Sequence, residues 1–315
     1  AEGGVGLQVT GNVMVERTAL GEPDNVVLDE RSDLAASERW AEAGRRHGTH
    51  LFMQLNHPGK QTNRFLTREP VAPSPIPIGA GLERAFNPPR ALADGEIERI
   101  VERFATAARL AQRTGFTGVQ IHGAHGYLVS QFLSPRHNQR ADRWGGSAEN
   151  RRRFVLEVYR AVRAQVGVRY PVCIKLNSAD FQRGGLTEDE SLAVSDQLAA
   201  AGIDLIEISG GTYEAPAMIG AVASQATRDR EAYFLQYAER ARARLHVPLA
   251  VTGGFRSGAV MRDALGRGAT DLVGMARPFA VCPDLPSRLL ADGSAAVEIR
   301  RPSTGIRAVD LFSML

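Results

Sequence analysis

Lysine is almost absent from this chain: of 38 basic residues only Lys60 and Lys175 are lysines, and the rest are arginines. Cysteine is as scarce. Cys173 and Cys282 stand far apart, in no metal-ligand or redox spacing, which disfavours a cysteine-built metal centre and fits a reducing compartment. A cytoplasmic protein is therefore expected. Long hydrophobic runs are also lacking, and none reaches the length of about eighteen residues that a membrane span needs. The opening AEGGVGLQVT carries no basic leader, so no signal peptide is read there. Nor is charge of one sign concentrated anywhere. The net charge of +3 comes from dispersed arginines, with no basic stripe beside exposed aromatics, so nucleic acid is not an expected partner. A small-molecule substrate is. The sequence leaves homo-oligomerisation open.

What is present is a rhythm. Short apolar runs alternate with longer amphipathic ones, the mark of repeated βα units around a parallel sheet. GLQVTGNVMV, HLFMQLN, GVQIHG, VCIKLN, LIEISGG, LAVTGG and LVGMA read as strands. Most are nearly continuous in apolar residues, as strands covered on both faces are. EIERIVERFATAARLAQRTG, ENRRRFVLEVYRAVRAQVG, EDESLAVSDQLAAAG and AVMRDALGRG read as helices, each closing on glycine.

The fold class expected is an α/β TIM barrel, (β/α)8, as one domain over residues 1–315. A doubly wound sheet is the competitor, but no glycine-rich turn opens the first unit. Seven strands are counted where a closed barrel has eight. Strand one is therefore expected to precede Ala1. Between the second counted strand and its helix, the proline-rich stretch LTREPVAPSPIPIGAGLERAFNPPRAL is too long for a simple connection. A lid or hairpin insertion around 64–92 is expected. VSQFLSPRHNQRADRWGGS interrupts the rhythm a second time.

The polar residues that end these strands carry the chemistry, because barrel active sites sit at the C-terminal ends of strands. GVQIHGAHGY brings His122, His125 and Tyr127 together directly after a strand. Two imidazoles can donate hydrogen bonds to one carbonyl or nitro oxygen, and a phenol can deliver a proton beside it. Any one of the three alone reads as a strand-end polar group. All three in this place point to function. A zinc site on the two histidines is disfavoured, because no Cys, Asp or Glu stands at ligand spacing, and no metal is expected. Gln54 in FMQLNHPGK offers an amide that reads the edge of a planar heterocycle or caps the barrel mouth. Lys175 lies inside VCIKLN, where an unpaired ammonium is costly, so it needs either a carboxylate neighbour or an anion on a bound group. Schiff-base chemistry is the alternative for such a lysine. VTGGFRSG and GMARPF end the last two strands with small residues and Arg277, where barrels commonly bind phosphate.

Taken together, these stretches resemble the old yellow enzyme family of FMN-dependent, NADH:flavin-type ene-reductases, from GGVGLQVTGNVMV to GMARPFAVCPDLP. The most specific part is GVQIHGAHGYLVSQFLSPRHNQRADRWGGSAENRRRF. The resemblance implies FMN as cofactor, NADPH or NADH as electron donor, and reduction of C=C bonds in α,β-unsaturated carbonyl or nitro compounds. It implies that Gln54 and Lys175 face the flavin pyrimidine and that Gly11 lies along the ring. Gly253, Gly254, Ala276 and Arg277 would hold the phosphate, His122 and His125 the substrate oxygen, and Tyr127 would give the proton. The family's first strand is missing here, Ala276 stands where many members have glycine, and the tail LFSML stops short of the usual final helix. A Schiff-base lyase or aldolase using Lys175 and a non-catalytic flavin-binding barrel are the alternatives.

Overall fold

The computed structural model describes residues 2–215 and 231–293, so the tail LFSML lies outside the described residues. One parallel sheet organises them. β1 (Leu7–Met14) carries the two-residue β2 (Val26–Val27) on one edge and β3 (His50–Asn56) on the other. Beyond β3 come β6 (Gly118–Gly123), β7 (Val172–Asn177), β8 (Leu205–Ser209), β9 (Leu249–Thr252) and β10 (Leu272–Gly274), in that order. A separate parallel pair, β4 (Val71–Ala72) and β5 (Arg90–Ala91), lies within the 64–92 stretch.

The sheet curls into an α/β barrel with one open seam. Among the described residues no strand joins β10 to β1, which agrees with a barrel short of one strand. β2 covers only the upper part of the free edge, pairing Val13 with Val26 and Met14 with Val27. At the lower end the N-terminal residues cross toward the helix Leu285–Ala291, where the Ser287 amide donates to the Gly3 carbonyl at 3.1 Å. A Cβ at Gly3 would fall 2.0 Å from the Pro283 carbonyl oxygen, so this crossing requires glycine.

Two cores follow from the alternation of side chains along each strand. Met53, Leu55, Val119, Ile121, Val172, Ile174, Leu176, Ile206 and Ile208 point outward into the main core beneath the helices. α1 (Leu34–Gly44), α2 (Asp94–Arg113), α3 (Leu128–Leu133), α4 (Ala148–Val166) and α5 (Glu188–Ala200) supply much of its outer half. On α2 the buried Ile97, Ile100, Phe104, Ala108 and Ala111 recur at helical spacing and form the inward stripe. Ser147 caps the α4 N-terminus by accepting from the Asn150 amide at 3.1 Å, and Gly167, at φ 78°, ends the helix. Side chains of this size each contribute about 1.5–3 kcal/mol when fully buried.

The inward-facing set is different. Phe52, Cys173, Leu205 and Ala250 form a small apolar floor inside the barrel, with Leu7, Val9 and Leu272 packed against it. Toward the C-terminal ends the interior turns polar, through Gln54, Gln120, Lys175 and Glu207. This polar layer positions the site. Among the described residues no helix is long and apolar enough to cross a membrane.

Candidate active site

The end of β6 builds the first cluster. His122 is its last inward-facing residue, and the chain then turns through His125 (φ 61°) and Gly126 (φ 81°) before entering α3. A left-handed conformation costs a non-glycine residue about 1–2 kcal/mol, and histidine is among those that tolerate it best. Gly126 suits the same region, and a Cβ there would sit 2.4 Å from Gln61 Oε1 and oblige that side chain to move. The turn brings the three predicted residues together. The His122 ring meets His125 edge-on at 5.2 Å between centroids and Tyr127 at 4.8 Å.

Hydrogen bonds hold each ring in place. The Ala124 amide donates to His122 Nδ1 at 3.3 Å, which leaves the His122 proton on Nε2. His125 Nε2 lies 2.8 Å from Ser209 Oγ, and the His125 amide donates to Asn177 Oδ1 at 3.0 Å. Burial, reinforced by the charges of His125 and Lys175, holds the His122 pKa well below its ordinary value. Burial and Lys175 lower His125 to about 3, against a smaller opposing pull from Glu207. Both imidazoles are therefore neutral near pH 7, and each brings one N–H. Burial raises the pKa of Tyr127, partly offset by Tyr213 and Asn12, so the phenol keeps its proton.

Those last two partners were not legible in the sequence. Asn12 Nδ2 donates to the Tyr127 oxygen at 3.1 Å, and the Tyr213 oxygen lies 2.9 Å from it. A register shift in β1 between Val9 and Asn12 brings Asn12 opposite Gln54 on β3. The beginning of β1 alone does not reveal that shift. Tyr213 comes from the irregular loop after β8, which has no periodicity to read.

The second cluster runs across the barrel interior. Gln54 Nε2 donates to Gln120 Oε1 at 2.6 Å, Gln120 Nε2 donates to Glu207 Oε2 at 2.6 Å, and Lys175 Nζ meets Glu207 Oε1 at 2.8 Å. Glu207 is thus the partner that Lys175 needed, a carboxylate from the next strand in matching register. Burial by itself would push the Glu207 carboxyl up. The charge and hydrogen bond of Lys175, with bonds from Thr252 and Gln120, outweigh burial and hold it below its ordinary value. A signal existed: LIEISGG breaks an apolar strand with an acid just as VCIKLN breaks one with a base.

All four residues line a cavity of about 570 Å³ that also touches Leu7, Val9, Leu272, Met275 and Ala276. Of the predicted cofactor residues, Gln54, Lys175 and Ala276 stand in its wall, whereas Gly11, Gly253, Gly254 and Arg277 do not. A Cβ built at Gly11 would meet nothing within 4 Å, so its surface is open. Gly253 and Gly254 adopt φ 134° and 86° after β9, and a Cβ at Gly253 would lie 2.9 Å from the Phe234 ring. Arg277 begins the short helix Arg277–Val281 after β10, directly behind Ala276. The two clusters are neighbours, because His122 and Lys175 are register partners on β6 and β7.

The other lysine has a different place. Lys60 is buried and donates to the carbonyls of Ile76 and Pro77 at 3.0 and 3.1 Å, with its Nζ 3.0 Å from His137 Nδ1. It fastens the 64–92 stretch to the loop after α3. Burial lowers its pKa to about 8.

Residues 1–293 match the NADH:flavin oxidoreductase / NADH oxidase family. The chain belongs to that family. The NADH-dependent flavin oxidoreductase iliE of Hypocrea jecorina is 40% identical over 313 residues, which cover 92% of this chain and 78% of that protein. A 2-naphthoyl-CoA reductase solved with 2-naphthoyl-CoA superposes with a TM-score of 0.84 at 29% identity, over 93% of this chain but 45% of its own. An old yellow enzyme homologue from Zymomonas mobilis superposes with a TM-score of 0.76 at 24% identity, over 93% of this chain and 81% of its own, and shows the shared fold. The protein is an oxidoreductase with FMN as its cofactor and NADH or NADPH as electron donor. The Schiff-base lyase and the non-catalytic barrel are set aside.

Proposed function

We propose that this oxidoreductase reduces activated C=C bonds in α,β-unsaturated carbonyl or nitro compounds. The observation that carries the reading is the convergence of two neutral imidazoles and a protonated phenol at the end of β6, where His122 is the register partner of Lys175 in the cavity wall. FMN, when bound, would supply the hydride chemistry between NAD(P)H and the substrate.

The residues present fit such a group. The amide of Gln54 and the ammonium of Lys175 stand on one wall of a cavity whose size suits a cofactor, and the space over Gly11 is open. Gln54 and Lys175 would hold the polar edge of the ring, and Gly253, Gly254, Ala276 and Arg277 would hold the phosphate. Residues 1–315 then work as one FMN-binding barrel, with the 64–92 stretch as a wall over the mouth.

His122 and His125 each donate one hydrogen bond to the substrate oxygen and draw electron density away from the double bond. Tyr127 gives its proton to the α-carbon. Supplying the protein with FMN, NADH or NADPH, and 2-cyclohexenone tests this directly. One cyclohexanone should form for each donor oxidised, and NADH is the donor to try first given the name of the Hypocrea jecorina relative. Donor oxidation by oxygen with no saturated ketone would refute the reading.

A further inference from the structure

We propose that Tyr213 and Asn12 are positioning residues for the proton that Tyr127 delivers, an inference that rests on the ene-reductase reading above. The argument starts from what each group can give. The amide nitrogen of Asn12 only donates, so the Tyr127 oxygen accepts from it at 3.1 Å. The Tyr213 oxygen lies 2.9 Å from the same atom. A phenol has one proton to donate and two lone pairs with which to accept. When Tyr213 donates, both acceptor positions of Tyr127 are filled and its own proton is left for the substrate. The opposite arrangement would occupy that proton inside the protein.

The same two donors support the product of the transfer. As Tyr127 hands its proton to the α-carbon, its oxygen becomes a phenolate in a buried position, and burial opposes that charge. Two hydrogen bonds to a charged oxygen are stronger than those to a neutral one and offset the opposition. Tyr213 is half-buried whereas Tyr127 is buried, and burial raises the pKa of the Tyr213 phenol as well. Tyr213 therefore stays a donor to the Tyr127 oxygen, which regains its own proton from water after the transfer. Over one cycle the substrate gains a hydride that originates from NAD(P)H and a proton that originates from water.

The loop that carries Tyr213 is held from outside the site. The adjoining Glu214 accepts the Gly79 amide at 2.9 Å and lies 3.4 Å from His137 Nε2, and the Phe86 ring stands 6.3 Å from the Tyr213 ring. Gly79 and Phe86 both belong to the 64–92 stretch.

Rapid mixing of the FMN-loaded enzyme separates flavin reduction by NADH from reoxidation by 2-cyclohexenone. Tyr213→Phe and Asn12→Leu should each lower the limiting reoxidation rate, relative to the reduction rate, by about tenfold to a hundredfold. The enone concentration that half-saturates reoxidation should hardly move, because the loss lies in the transition state. In a Tyr127→Phe background neither substitution should cost anything further. An unaltered rate ratio in the single variants would overturn the proposal, and so would a loss that persists in full without the Tyr127 hydroxyl. Phenol binding, read from the absorbance of bound flavin, checks the pocket: its loss in Tyr213→Phe means a residue that shapes the site, which also overturns the claim. A Tyr127→Phe enzyme that reoxidises at the wild-type rate defeats the ene-reductase reading, and the present inference falls with it.

Discussion

The mouth of the barrel and its interior solve opposite problems with residues only a few ångströms apart. At the mouth, His122, His125, Tyr127, Asn12 and Tyr213 form a neutral set that depends on a left-handed turn at His125 and on an irregular loop. In the interior, Gln54, Gln120, Glu207 and Lys175 form a chain that contains an ion pair and stands wholly on regular strands. β6 contributes to both, with Gln120 inside and His122 two residues later at the rim. The difference teaches that charge is placed where strands hold it rigidly against a countercharge. On the proposed reading, neutral donors are placed where a substrate enters and charge develops only during reaction. The proposed division of labour assigns the cofactor to the charged chain and the substrate to the neutral set.

The largest expected effect comes from removing the hydroxyl proposed to protonate the substrate. Tyr127→Phe should slow reoxidation by 2-cyclohexenone relative to flavin reduction by about 10²–10⁴-fold, the usual value of general-acid catalysis. Stopped-flow absorbance reads both halves. Equal slowing of the two would make Tyr127 a residue that shapes the pocket, and the division between mouth and interior would fail.

The neutrality of the buried imidazoles, at the mouth and elsewhere, has a consequence for stability. The folded pKa values of His57, His125 and His137 are lowered to about 3 by burial, and that of His122 lies well below its ordinary 6.5. Groups depressed in this way add stability that is fully present above pH 6.5. It is lost as pH falls from there toward 3, because the unfolded chain binds the proton first. Each such histidine contributes a slope of up to about 1.4 kcal/mol per pH unit. Between pH 7 and 5, where most carboxylates have yet to titrate, calorimetry should show a steady fall in Tm. A flat Tm across that window would mean that these imidazoles are protonated in the fold.

Much of this arrangement could be read from the sequence, and the misses have physical causes. The strands were legible because both of their faces are covered, and His122, His125, Tyr127, Gln54 and Lys175 because they interrupt or end apolar runs. Glu207 interrupts one too, and pairing it with Lys175 needed only the parallel register of adjacent strands. Asn12 was hidden by the register shift in β1, which changes the residue that reaches the site without altering the motif. Tyr213 lies on a loop whose course is set by distant partners, His137 and Gly79, and no local pattern encodes those. Lys60 shows the converse. It too lies close to a strand end, yet its buried ammonium binds two carbonyls of the 64–92 stretch.

Smaller effects sharpen the comparison. His122→Ala or His125→Ala should weaken phenol binding to the FMN-loaded enzyme by about tenfold or more, since each removes a hydrogen bond to an oxygen bearing charge. Absorbance titration would show it, and unchanged affinity in both variants would remove the histidines from the substrate site. The interior should respond through the cofactor. Glu207→Gln removes a negative charge beside the proposed flavin edge and should raise the FMN reduction potential. Lys175→Met should lower it, less steeply if the stranded Glu207 takes up a proton. A tenfold change in the preference for reduced over oxidised FMN corresponds to about 30 mV for a two-electron couple. Shifts of the same sign would break the assignment.

The most direct test crosses the two sets of variants with two readouts: phenol affinity and FMN reduction potential, measured on wild type, His122→Ala and Glu207→Gln. The account predicts a large loss of phenol binding with little change in potential for His122→Ala, and a raised potential with near-normal phenol binding for Glu207→Gln. If both substitutions move both quantities alike, mouth and interior are one undivided site and the central claim is wrong.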